Sequence, residues 1–155
     1  LGSDTSVITY TPSSALTEGK YAMIVVIIET EVTSAGTLQM EINNLTTSTY
    51  FTDGEKWNAG SATVIDVSSA AKWDIMDSTS TGTNSHTVVM LSMGDASFAG
   101  EHIRGTAQGS SQDLGYFVGL ELDSAQTTIT EIEVSNSSGD LKAGTKMTTF
   151  GVERS

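Results

Sequence analysis

The chain has 155 residues, 19 of them acidic and 7 basic, a net charge of −12, no cysteine and one proline, Pro12. Without cysteine there is no disulfide framework and no thiolate-ligated metal centre, and so few cations cannot neutralise a nucleic-acid backbone. The longest apolar run, Tyr21–Ile28, has eight residues where a membrane-spanning helix needs about 20, and the length predicts one domain, residues 1–155, able to bury its own core.

Leu1 is not methionine, which points to a start inside a longer product. Val7–Tyr10 is the first candidate strand, and the polar residues around it make residues 1–12 a candidate N-terminal arm, able to pair at home or with a neighbour. Tyr21–Ile28 is apolar at every position and rich in β-branched residues, which predicts a strand covered on both faces. Leu38-Gln39-Met40-Glu41-Ile42 alternates strictly, the pattern of a half-buried strand. Ser48–Phe51, Thr63–Val67, Lys72–Met76, His86–Met93 and His102–Ala107 follow as further strands. In Gly115–Leu122, Tyr116, Val118, Leu120 and Leu122 share one face, and Phe117, Gly119 and Glu121 the other. Ile132 and Val134 alternate with Glu131 and Glu133, and Lys146–Val152 closes the series.

Between these segments lie breakers: Ser34-Ala35-Gly36, Asp53-Gly54, Asn58-Ala59-Gly60, Ser78–Ser85, Gly94-Asp95, Gly109–Gln112 and Ser137-Ser138-Gly139-Asp140. Their residue types tolerate left-handed backbone or hydrogen-bond their own main chain. No window keeps apolar residues at helical spacing without Gly or β-branched clusters breaking it. The expectation is an all-β antiparallel β-sandwich of eight to ten short strands.

His86 and His102 are the candidate general bases, but there is no Gly-x-Ser-x-Gly motif and no phosphate-cradling glycine loop. The chain is therefore read as non-enzymatic, with no catalytic residue assigned. Asp53-Gly54-Glu55, and Asp95 with Glu101, offer the hard oxygen donors that calcium prefers. The full Asp-x-Asp-x-Asp-Gly loop is missing, so these carboxylates are read as solvated surface and no cofactor is assigned. Trp73, flanked by Ala70, Ala71, Ile75 and Met76, reads as core. Trp57, between Lys56 and Asn58, reads as an exposed loop residue or an intersubunit contact; with Tyr50 it is the candidate contact for a ligand or partner. The charge repels nucleic acid and anionic membranes and restricts self-association to locally neutral faces.

The C-terminal residues carry a further pattern: Ile129-x-x-Ile132-x-Val134, Gly139-Asp140-Leu141, Gly144-Thr145 and Thr149-Phe150-Gly151-Val152. It resembles the ending of tailed-bacteriophage virion proteins with jelly-roll-like domains, whose last strands read Ile-x-x-Ile-x-Ile, Gly-Asn-Phe, Gly-Ser and Leu-Tyr-Gly-Ile. Asp140-Leu141, Thr145 and Thr149-Phe150 are the departures. The resemblance implies a jelly-roll-like sandwich at the outer surface of a virion. The role it implies is that of a capsid decoration, cement or outer head protein binding the major capsid protein or other virion proteins as a homo-oligomer, often a trimer. Tail receptor-binding or carbohydrate-binding domains of the same group, recognising host glycans, are the alternative. In this pattern Gly139 and Gly144 permit tight turns, and Phe150 is expected to bury its ring against the sheet.

Overall fold

The computed structural model describes residues 1–46, 49–78, 82–93, 102–112 and 114–155. The alternating segments form strands β1 (Val7–Tyr10), β3 (Tyr21–Thr30), β4 (Gly36–Ile42), β5 (Tyr50–Asn58), β6 (Ser61–Ala70), β7 (Trp73–Ser78), β8 (Ser85–Ser92), β9 (Arg104–Ser111), β10 (Leu114–Leu122), β12 (Ile132–Asn136) and β13 (Lys146–Glu153). Two further strands of two residues, β2 (Leu16–Thr17) and β11 (Thr128–Ile129), pair only with each other. Among the described residues there is no helix. The thirteen strands described exceed the expected eight to ten, two of them being the two-residue β2 and β11; the Gly109–Gln112 breaker lies mostly inside β9 and only lengthens it.

The strands form a four-stranded sheet, β1-β12-β4-β7, and a seven-stranded sheet, β13-β3-β8-β9-β10-β5-β6, antiparallel throughout. Setting aside the β9–β10 hairpin and β13, eight main strands remain. In chain order, the first, eighth, third and sixth make one sheet and the second, seventh, fourth and fifth the other. That is jelly-roll connectivity, with one hairpin inserted between the seventh and fourth strands and one strand added at an edge. β1 pairs with β12 of its own chain, from Val7 opposite Ser135 to Tyr10 opposite Ile132.

Alternation places one side of each strand in a shared core. Ile24, Val26, Ile28, Val89, Leu91, Tyr116, Val118 and Leu120 come from the large sheet, and Leu38, Met40, Ile42, Trp73, Ile75 and Val134 from the small one; all are buried. Polar contacts also cross between the layers: Trp73 donates its indole N–H to the Glu121 carbonyl at 2.9 Å, Tyr116 its hydroxyl to the Asp74 carbonyl at 3.3 Å, and Lys56 pairs with Asp77.

Two sequence expectations are corrected. Asp53-Gly54 is not a turn but the middle of β5, opposite Gly119 and Val118. A Cβ on Gly54 would lie 2.3 Å from the Phe117 carbonyl, so this glycine marks a close approach of the next strand. The turn comes five residues later, at Ala59 and Gly60, whose φ values of +48° and +87° make the tight β5–β6 hairpin. Tyr21–Ile28, in turn, is covered on one face only. Ile24, Val26 and Ile28 are buried, but Val25 and Ile27 are half-buried and Met23 is exposed.

Candidate interaction face

The uncovered residues of β3 belong to a larger surface, the outer face of the seven-stranded sheet. Opposed residues of antiparallel strands point to the same side, so the register gives this surface row by row. From β13 to β6 one row reads Phe150, Val25, Met90, Thr106, Gly119, Asp53 and Asp66. The next reads Thr148, Ile27, Val88, Gln108, Phe117, Glu55 and Val64. A third reads Lys146, Glu29, His86, Ser110, Gly115, Trp57 and Ala62.

Two apolar clusters emerge. One spans β13, β3 and β8 and includes Phe150, Val152, Met23 and Met90. Phe150 is 52% exposed, which corrects the expectation that its ring packs against the core: Gly151, not Phe150, faces inward, against the ring of Tyr21. The other cluster joins Phe117, Trp57 and Val64, with Val64 72% exposed. Trp57 is a strand residue, not a loop residue, and its ring lies across Gly115, with Cε3 3.6 Å from the place a Cβ would occupy. Across β9, β10 and β5 runs an open groove of about 290 Å³ lined by Phe51, Asp53, Arg104, Gly119 and Glu121, in which Arg104 and Glu121 form an ion pair at 3.1 Å.

Tyr50, the other candidate contact, is not on this surface. It is fully buried, meets Trp73 edge-on with centroids 4.9 Å apart, and bonds through its hydroxyl to the backbone of Ile42. Burial pushes the Tyr50 phenol up to about 12. Adjacency to Phe51 in sequence hid this, because neighbouring strand residues point to opposite faces.

The outer face of the small sheet is different in kind. There Thr9, Glu133 and Glu41 lie in a row, and Lys72 reaches Glu41 and Glu133, each at 3.3 Å, and Ser135 at 3.2 Å. Glu41 is buried, and among the described residues its Oε2 has no hydrogen-bond partner. Burial, together with the neighbouring Glu133, raises its carboxyl above the usual range against the pull of Lys72.

The remaining candidates stay apart. His86 is exposed at the start of β8, opposite Ser110 near the end of β9. His102 precedes the start of β9, its Nε2 3.8 Å from Asp123; the length of β9, on the order of 25 Å at about 3.3 Å per residue, separates the two rings. Asp53 and Glu55 sit on an extended strand rather than a curled loop, so they do not wrap an ion, and among the described residues no group of three acidic or histidine side chains converges. Asp95 and Glu101 lie outside the described residues. No protein-family model matches the chain, and no curated protein matches it significantly.

Proposed function

We propose that this chain is a non-enzymatic virion surface protein, a capsid decoration or outer head subunit, that adheres to other virion proteins through the outer face of its seven-stranded sheet. The observation that carries the reading is the contrast between the two outer faces. One is a network of ion pairs and hydroxyls suited to water. The other leaves a strand that is apolar at every position from Tyr21 to Ile28 half open, and shows Phe117, Trp57, Val64 and Phe150 to solvent. Exposed apolar surface on this scale marks a contact site. The C-terminal resemblance to phage virion proteins supplies the setting. Mass spectrometry of purified particles, with heads separated from tails, tests it: many copies on the heads are expected. Re-addition of the pure protein to stripped heads should restore them, and the Val64→Asp, Phe117→Asp double variant should not bind. Absence from both heads and tails refutes the reading.

A second reading, glycan recognition at a tail, is favoured by one feature: Trp57, 41% exposed with its ring against Gly115, shares the outer face of the sheet with the open groove of Asp53, Arg104 and Glu121. Few copies at the tail tip, and glycan-array binding lost in Trp57→Ala, would select it.

A further inference from the structure

We propose that two copies of this chain pair antiparallel along β13, joining their seven-stranded sheets across a twofold axis beside Thr149. This rests on the adhesive reading and names the surface through which copies of the subunit meet. β13 is an eight-residue edge strand, paired with β3 on one side and with no described strand on the other. Its free backbone groups are a template for another strand.

Charge selects a copy of itself as the occupant. A chain of net charge −12 meets its like only where its surface is balanced. The β13 edge is balanced: Lys146 lies 3.8 Å from Glu29 at one end, and Lys20 3.4 Å from Glu153 at the other. The opposite edge is guarded. Along β5 and β6, Asp53 faces Asp66 directly and Glu55 lies beside them. None of the three is in an ion pair with a described lysine or arginine, so pairing β6 with β6 would gather the carboxylates of both copies.

Geometry then fixes the register. Opposed residues must share a face, so the axis falls beside Thr149 or Phe150. An axis at Phe150 sets Lys146 against Arg154 of the second copy. An axis at Thr149 sets Thr148 against Phe150, Met147 against Gly151, and Lys146 against Val152, next to Glu153, so the cationic end of each strand meets the anionic end of the other. It also sets the two Thr149 residues directly opposite each other, on the core-facing side of the strand. On the outer face the two Phe150 rings become diagonal neighbours, roughly 7–8 Å apart, and the Lys146 stem covers Val152. The assembly is a dimer, not the trimer common in the group the sequence resembles.

The chain has no cysteine, so one introduced thiol reports cleanly. Opposed Cα atoms about 4.5–5.5 Å apart are within disulfide reach. Under mild oxidation Thr149→Cys should become a covalent dimer, whereas Val64→Cys, more exposed but on β6, should not. In sedimentation equilibrium the wild type should be dimeric and Phe150→Asp monomeric, with unchanged circular dichroism since that ring is already exposed. A monomeric wild type, a Phe150→Asp dimer, or equal cross-linking through Val64→Cys overturns the proposal. These measurements use the purified chain alone. A monomer found on heads therefore sinks the pairing and spares the adhesive reading, and a dimer absent from particles does the reverse.

Discussion

Tyr50→Phe isolates one oxygen atom that does the job of a missing strand. The pairing of β7 with β4 ends at Trp73 opposite Met40, so Ile42, the last residue of β4, has no described strand beside it on that side. The Tyr50 hydroxyl reaches across from the other sheet, accepts the Ile42 N–H and donates to the Ile42 carbonyl, each at 3.1 Å. Removing the oxygen leaves the ring packed against Trp73. The Ile42 carbonyl keeps a bond from the Leu45 N–H at 3.1 Å, so the cost falls on the N–H, buried without an acceptor, at about 1–3 kcal/mol. We expect a loss of about 2 kcal/mol, read as a melting temperature lower by roughly 4–8 °C for a domain of this size. Tyr50→Ala, which also removes the ring, should cost about 3–5 kcal/mol. Urea unfolding followed by circular dichroism measures both. Tyr50→Phe within about 0.5 kcal/mol of wild type at an unchanged denaturant slope would refute the reasoning, because the hydroxyl would then be replaceable by water.

Glu41→Gln tests the buried carboxylate among Lys72 and Glu133. Its folded-state pKa is raised by burial, so the stability it contributes is fully present below the unfolded value and lost as pH rises through the folded one. Glu41→Gln should therefore gain on the wild type as pH rises above the ordinary carboxylate range in denaturant titrations, and a pH-independent difference counts against it. Gly54→Ala should cost about 3 kcal/mol or more, since the new Cβ meets the Phe117 carbonyl of β10; differential scanning calorimetry reads the loss. Trp57→Ala should change stability by about 1 kcal/mol or less, while weakening attachment to stripped heads at least tenfold in a sedimentation assay.

Period-two alternation made the strands legible, because a residue's burial on a strand is decided by parity. Gly115–Leu122 folds as the pattern reads, with Tyr116, Val118 and Leu120 inward and Phe117 outward, and in Leu38–Ile42 the apolar residues turn inward as read while Glu41, on the other side, is covered as well. Trp73 is core for the reason its neighbours gave. Asp53-Gly54 was misleading because composition cannot separate a glycine that turns the chain from one that lets a neighbouring strand close in. Tyr50 was misplaced because its partner, the unpaired end of β4, exists only once the sheets are assembled. The interaction face was the least legible of all. Met23, Met90, Trp57 and Phe150 are far apart in sequence, and only the order of the seven strands sets them on one surface.

On the proposed reading, the distribution of charge separates the two ends of that surface. All seven cations are already engaged: Lys20 with Glu153, Lys56 with Asp77, Lys72 with Glu41 and Glu133, Arg104 with Glu121, Lys142 with Glu31 and Lys146 with Glu29, while Arg154 donates to the Glu18 carbonyl. The excess negative charge must therefore sit on carboxylates with no cation of their own. Asp53, Glu55 and Asp66 are three of these, set directly among Phe117, Trp57 and Val64. Apolar contact alone would make this end of the sheet stick to its own copies. The carboxylates prevent that by like-charge repulsion, yet attract a basic partner over the same area. At the β13 end the apolar residues lie between balanced ion pairs, where a second copy meets no such barrier. On the proposed readings one face carries two adhesive ends with different specificities, and it is the placement of a few acidic residues, more than the apolar ones, that tells them apart.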